Sequence, residues 1–325
     1  MSKPGLVVVT GAGGFVGRAL VAHFAGTGRP FRAIVRQRSP SAVTRPHFHA
    51  VADLATIPDP LLDAIAAGAA AVVHLAGRAH VQDETASDPI AAYASANVTA
   101  TARLARAAVS AGVQRFVLAS TVKVNGETSK ASRPFRPDDP PDPRDDYARS
   151  KLQAERELAA ICAGTFMAPI ALRLPLVYGP GVKGNFARLL DEVAEERVFP
   201  LGAARNRRSL LYVGNLVEAI DAALDAPSAP SGVHFIADAE CVSVPELLNA
   251  IGLALGKPIR LKAVPVGLLK LGGRLLGKRA LVERLVGTLE VDTSTFSAAT
   301  GWTPRHALAG GLAATAGGWR TRHSI

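Results

Sequence analysis

The sequence predicts an α/β fold: a doubly wound parallel sheet followed by a smaller C-terminal α/β region. Three observations lead there. Short apolar runs alternate with alanine-rich stretches of helical length over the first 175 residues. The first run ends directly in a glycine-rich turn that opens a helix. Beyond Pro175 the alternation loosens into a mixture of helices and short strands.

Taken in order, "LVVVT" (6–10) is continuously apolar and stops at glycine, as a strand buried on both faces does. A helix follows from about Gly14 to Gly26, then strands in "FRAIV" (31–35) and "AVVHLA" (71–76). A long helix spans roughly Ala91 to Ala111 and leads into the strand "RFVLAS" (115–120). Pro143 with Asp145 or Asp146 signals the start of a helix that carries Tyr147 in its first turn, before the strand "PIALRL" (169–174). Strands separated by helices imply right-handed crossovers and a sheet covered on both sides. "GPGVKGN" (179–185) is a glycine-rich connection, and later strands such as "GVHFIA" (232–237) are free to rejoin the first sheet. The segment 259–286 is basic and amphipathic, with Lys262, Lys270, Arg274, Lys278 and Arg279 among leucines. It suits a membrane-surface helix or, as the favoured reading, a core-packed helix with a solvated basic face.

Composition narrows the class. Of 325 residues 48% are hydrophobic and 20% charged, which fits a globular chain able to bury a sizeable core. Two cysteines, Cys162 and Cys241, are too few for a disulfide framework or a cysteine-rich metal site, so a reducing, cytoplasmic setting and no metal are expected. No secretory signal and no transmembrane run are visible. Aromatics at 5% give no stacking platform for nucleic acid. The net charge of +10 is unevenly spread: the first 52 residues hold Lys3, Arg18, Arg29, Arg32, Arg36, Arg38 and Arg45 without one acid.

That asymmetry bears on the glycine turn. Gly11, Gly14 and Gly17 in "VVVTGAGGFVG" follow a strand and open a helix, where free N–H groups and the helix dipole favour a pyrophosphate. Folds of this kind that bind NAD place an acid about 20 residues further on, for the ribose 2′-hydroxyl. Arg36 stands at that place, and the first carboxylate of the chain is Asp53. An arginine pairs with a 2′-phosphate, which favours NADP over NAD; Asp53 is a candidate contact to the adenine end.

With "TGAGGFVG", "HLAGRAHV" (74–81), "LASTVKVNG" (118–126), "YARSK" (147–151), "LRLPLVYGPGVKGNF" (172–186), "RRSLLYVGNL" (207–216) and "GWTP" (301–304), the chain resembles the extended short-chain dehydrogenase/reductases. Within them it is similar to the NAD(P)-dependent nucleotide-sugar epimerase/dehydratase group, over nearly its whole length. The resemblance implies a Rossmann-like NAD(P)-binding domain over 1–175 and a mainly substrate-binding region over 176–325. It implies Tyr147 as acid/base, Lys151 as its partner and holder of the nicotinamide ribose, and Thr121 as the third catalytic residue, with Ser120 its neighbouring alternative. It places the cofactor against Gly11, Gly14, Phe15, Val16, Gly17, Arg36, Asp53, Leu54, Leu75, Ala76 and Gly77. Substrate would meet Arg78, Lys123, Asn185 and Arg208, the last two at the diphosphate, with Arg284 a weaker second clamp. A homodimer is implied as well.

These residue types suit the chemistry. Hydride transfer at a sugar carbon moves a proton on the attached oxygen, and a lysine cation with an oxidised nicotinamide ring nearby favours the phenolate. Residues four apart share one helix face. Two departures from the group's pattern matter. Its dehydratases follow the catalytic threonine with an Asp-Glu pair, whereas Val122 and Lys123 stand here, which counts against 4,6-dehydration. "VKVNG" replaces the commoner "VYG", so Lys123 either points to the substrate or is a surface lysine. The expected function is therefore a C4 epimerase of a UDP-sugar in surface polysaccharide synthesis. An NADPH-dependent 4-reductase of a 4-keto-6-deoxy sugar stands close behind, and a non-catalytic NADP-sensing regulator is a remote third.

Overall fold

The computed structural model describes residues 5–36, 47–79, 86–130, 132–277 and 279–323; Lys3, Arg38, Arg45, Lys278 and positions 80–81 of "HLAGRAHV" lie outside the described residues. The first half of the chain builds β1 (Val7–Thr10), α1 (Phe15–Thr27), β2 (Phe31–Arg36), β3 (Phe48–Val51), α2 (Asp59–Ala66) and β4 (Ala71–His74). Next come α3 (Pro89–Tyr93), α4 (Ala100–Ser110), β5 (Arg115–Thr121), α5 (Asp146–Cys162) and β6 (Ala168–Leu174). The remainder comprises β7 (Leu176–Tyr178), α6 (Asn185–Ala194), β8 (Val198–Phe199), β9 (Arg208–Tyr212), α7 (Val213–Asp225), β10 (Gly232–Phe235), β11 (Cys241–Val242) and α8 (Val244–Leu255). It ends with β12 (Arg260–Leu261), α9 (Val266–Leu275), α10 (Arg279–Val286), α11 (Ser294–Thr300) and α12 (Leu308–His323).

Seven strands form one parallel sheet in the order β10-β6-β5-β4-β1-β2-β3. The chain winds outward from β1 in both directions, so its path reverses between β1 and β4. Outside the carboxyl ends of the strands at such a reversal lies the crevice where α/β sheets bind ligands. As the sequence allows, "GVHFIA" does rejoin this sheet: β10 lies along β6 with His234 opposite Leu172.

Within the first 175 residues two elements, β3 and α2, escape a sequence reading. β3 is a four-residue edge strand in which only Val51 is buried, so it presents no apolar run. α2 hides behind Pro58 and Pro60, yet a proline in the first helical turn has no needed amide hydrogen to lose. The expected helix 91–111 also differs. Asp88 caps its start by accepting from the Ala91 amide at 3.0 Å, and residues 94–99 wind one wide π turn before α4. There the Ala100 N–H reaches back five residues to the Ser95 carbonyl.

Phe116, Leu118, Leu104 and Leu158 fill one side of the sheet; Leu20, Phe24, Ile220 and Phe296 fill the other. Each such fully buried side chain contributes roughly 1.5–3 kcal/mol. A second core holds Tyr178, Phe186, Leu190 and Leu248. Asp238 ties it together, accepting from the Tyr178 hydroxyl (3.0 Å), the Tyr212 amide and the Asn215 side chain (2.7 Å). The Asn215 oxygen takes the amides of Arg305 and His306, which joins the "YVGNL" and "GWTP" motifs in space.

Candidate active site

The crevice is floored by the glycine turn. Gly11 has φ +68°, and a Cβ there would stand 2.6 Å from the Ala76 nitrogen; one on Gly17 would stand 2.2 Å from the Gly11 oxygen. Both positions therefore require glycine so that the turn can fold under β4 and the helix can start at once. α1 begins at Gly14 with no side-chain cap and no acid in its first turn. Gly13 and Gly14 are exposed, Phe15 and Val16 half-buried. That leaves helix-start amides for a pyrophosphate, and the residues present fit a dinucleotide.

Beside the turn runs β2, whose Ile34 carbonyl accepts the Ala12 amide at 3.2 Å. Arg36 ends this strand with its side chain exposed. Asp53 is exposed and accepts from the Ala55 amide at 2.9 Å, closing its own turn. Leu54 is buried in the core beside Ile57, so its backbone, not its side chain, is what it can offer a ligand. On the other side of β1, the Leu75 and Ala76 amides meet the Thr10 carbonyl and hydroxyl at 3.2 and 3.3 Å. The Thr10 hydroxyl also bonds His74 Nδ1 at 2.7 Å.

Thr121, Tyr147 and Lys151, far apart in sequence, meet at the carboxyl end of β5. Neighbouring strand residues face opposite ways, which separates Ser120 from Thr121. Ser120 donates into the core to Glu155, while Thr121 hydrogen-bonds the Tyr147 hydroxyl. Asp145 caps α5 by accepting from the Ala148 amide at 2.7 Å, which fixes Tyr147 in the first turn. One turn on, Lys151 Nζ donates to the Ala119 carbonyl at 2.8 Å. Gly77 closes over it, since a Cβ there would come within 2.7 Å of Asn97 Oδ1 and 3.4 Å of Lys151 Nζ.

Asn97 and Tyr93 belong to this group and were not singled out in the sequence. Asn97 sits fully buried in the π turn; its oxygen accepts the Arg78 amide (2.8 Å) and its nitrogen donates to Ser150 Oγ (2.8 Å). The signal that could have found it is an asparagine inside an alanine-rich helix, where its propensity is poor. The Tyr93 ring lies 6.1 Å from the Tyr147 ring, and the Arg78 guanidinium lies over the Tyr93 ring at 5.4 Å. Beneath them, Glu155 and Arg173 form a buried ion pair at 2.6 Å, and Arg173 also donates to Asn125 Oδ1.

Burial governs the charges. It pushes the Tyr147 phenol up to about 12; the Thr121 hydroxyl draws it down and Asp145 adds to the rise. Burial takes Lys151 down to about 8 against the pull of Glu155, and takes His74 down to about 3, helped by Lys151. Among the protein groups alone, burial and not the lysine cation sets the phenol. The ammonium is directed at the Ala119 carbonyl.

On the substrate side, Lys123 pairs with Asp145 at 2.7 Å. Asn185 is exposed at the first position of α6. Arg208 opens β9 and donates to the carbonyls of Arg284 (2.7 Å) and Gly287 (3.2 Å), while Arg284 reaches Glu127 at 3.5 Å. The expected clamp therefore also anchors the end of α10.

Residues 7–237 match the family model described as NAD dependent epimerase/dehydratase. A UDP-glucose 4-epimerase of Vibrio cholerae is 39% identical over 246 residues, 75% of each chain. The N-acetyl-α-D-glucosaminyl-diphospho-ditrans,octacis-undecaprenol 4-epimerase of Escherichia coli O157:H7 is 28% identical over 82% of this chain and 77% of its own. Among solved structures, MoeE5 in complex with UDP-glucuronic acid and NAD superposes with a TM-score of 0.75 at 28% identity, covering 99% of this chain and all of the other.

Proposed function

The chain belongs to the NAD dependent epimerase/dehydratase family and is an enzyme that works with a nicotinamide cofactor; from that premise we propose that it epimerises C4 of a nucleotide-linked sugar. The observation that carries the reading is the meeting of Tyr147, Lys151 and Thr121 at the carboxyl end of β5, beside the strand reversal. In this reading residues 1–175 hold the dinucleotide, and Asn185 and Arg208 of the later residues hold the sugar diphosphate.

When bound, an oxidised nicotinamide supplies the hydride acceptor and a positive charge that favours the phenolate. Tyr147 takes the proton from the sugar O4 as the hydride leaves C4, and returns it when the hydride comes back to the other face. Thr121 donates to the same oxygen and keeps it in line with the phenol. Lys151, closed over by Gly77, would hold the ribose side, and Asn97, buried and bonded to Arg78 and Ser150, fixes the backbone beside it. The two residues after Thr121 are not the acids of a dehydratase: Val122 is buried and Lys123 is paired with Asp145. UDP is the carrier named for the Vibrio relative and for the MoeE5 complex, which supports a UDP-sugar.

Arg36, exposed at the end of β2, favours a second reading, reduction of a 4-keto-6-deoxy UDP-sugar by NADPH. Incubation with UDP-glucose or UDP-N-acetylglucosamine and no reductant separates the two. Formation of the C4 epimer without net cofactor change is expected; NADPH consumption with the keto sugar alone would establish reduction instead. Tyr147→Phe is expected to lose turnover by at least about 10³-fold with cofactor binding intact. Comparing NAD with NADP affinity in wild type and Arg36→Asp tests the 2′-phosphate contact.

A further inference from the structure

The hairpin of α9 and α10 is unlike the rest of the surface. Five of the eleven exposed large apolar side chains among the described residues lie on it: Leu268, Leu271, Leu275, Leu276 and Leu285. Leu268, Leu271 and Leu275 are 59%, 53% and 79% exposed, and their i, i+3, i+7 spacing aligns them in one stripe along α9. Leu269 and the buried Gly273 turn to the opposite side, where Leu269 packs on the C-terminal core. The stripe is thus an outward face of a helix already seated on the protein by its inner face.

Charge selects what covers it. Residues 257–286 contain eight lysines and arginines and one acid, Glu283, which is bonded to Arg279 at 2.8 Å. Seven of the ten net positive charges of the chain fall in this segment. Lys270 and Arg274, four apart, line up along α9 beside the leucines. A second copy docked through this face would set the same cations against themselves, because a twofold contact pairs a patch with itself. A layer of anionic headgroups over hydrocarbon matches both components at once. No helix among the described residues is long and apolar enough to cross a membrane, so the contact lies in the interfacial plane.

We propose that the α9–α10 hairpin is a membrane-docking surface, with Leu268, Leu271 and Leu275 entering the interface of a bilayer rich in anionic phospholipid and Lys270 and Arg274 on its phosphates. The hairpin is bonded to the candidate diphosphate side through Arg208 and Arg284, so docking turns that side of the site toward the bilayer. The docking stands without the epimerase reading, since it is measured with no sugar present.

The test is flotation of the full chain with unilamellar vesicles of equimolar phosphatidylcholine and phosphatidylglycerol, against phosphatidylcholine alone. Wild type should float with the anionic vesicles and be released by salt. Lys270→Glu with Arg274→Glu should weaken partition on the order of 25-fold or more, at about fivefold per charge. Leu271→Ser with Leu275→Ser should weaken it more than tenfold. Both pairs lie on an exposed face, and unchanged melting temperature and elution volume verify the fold. In Leu275→Trp, the added fluorescence should shift to the blue on anionic vesicles. Failure of wild type to float, equal flotation of the variants, or an unshifted tryptophan overturns the proposal. So does conversion of a dimer to monomer by the leucine pair without vesicle binding, which would make the face a contact between copies.

Discussion

The Thr121 hydroxyl accepts the Lys123 amide at 3.3 Å and bonds the Tyr147 phenol, so one side chain sets both the loop and the proton. Thr121→Val removes the one group that lowers the phenol against the burial that holds it at about 12. The acid limb of kcat should move to higher pH and kcat should fall about 10²-fold, read from a pH–rate profile. Lys123→Met removes a cation from Asp145, whose carboxylate raises Tyr147; a smaller shift of the same limb is expected. A change confined to KM would instead make Lys123 a substrate contact. His74, wholly buried, binds its proton only near pH 3 when folded and near 6.5 when unfolded. The unfolded state therefore takes up more protons between those values, and stability falls as pH drops through them. Urea titrations should show about 2 kcal/mol lost between pH 6.5 and 5 on this account, and a flatter profile in His74→Asn. Gly11, Gly14, Gly17 and the Tyr147–Lys151 pair were legible because their signals are local: a turn between strand and helix, and a spacing on one helix face. The Lys123–Asp145 pair joins residues 22 apart, and no spacing rule announces it.

Among the elements, α5 does the most: it carries Tyr147, Lys151 and Glu155 on successive turns, and the last is locked to Arg173 of β6. Glu155→Gln leaves the Arg173 guanidinium charged and unpaired in the core and should cost about 3–5 kcal/mol, while Glu155→Leu with Arg173→Met should recover most of it. Chemical denaturation of the single and the double variant measures the difference. The strands of the main sheet up to β6 were legible from continuous apolar runs, β3 excepted. The π turn was not, because widening the helix by one residue changes no residue type; it shows only in where Asn97 ends up. The β7-β9-β11 sheet and the short β8 and β12 are two to five residues each and stay below any periodic signal.

For the molecule as a whole, alternation in the first 175 residues was enough to predict a doubly wound sheet, but not what finishes it. Leu211, Leu216, Ile220 and Phe296, all from later residues, cover one face of that sheet. A chain stopped after Pro175 should therefore be poorly soluble and fail to bind cofactor, checked by soluble yield and by fluorescence titration with NADH. The same connectivity has a consequence in time. β6 ends at Leu174 and its outer neighbour β10 begins at Gly232, about 60 residues later. At roughly 5–20 residues per second of synthesis, the β6 edge emerges from the ribosome several seconds before the strand that closes it. During that interval the nascent chain displays an open row of backbone donors and acceptors, a template for pairing with other chains. Slower translation between those strands should therefore lower the yield of folded protein, even though the finished sequence is unchanged.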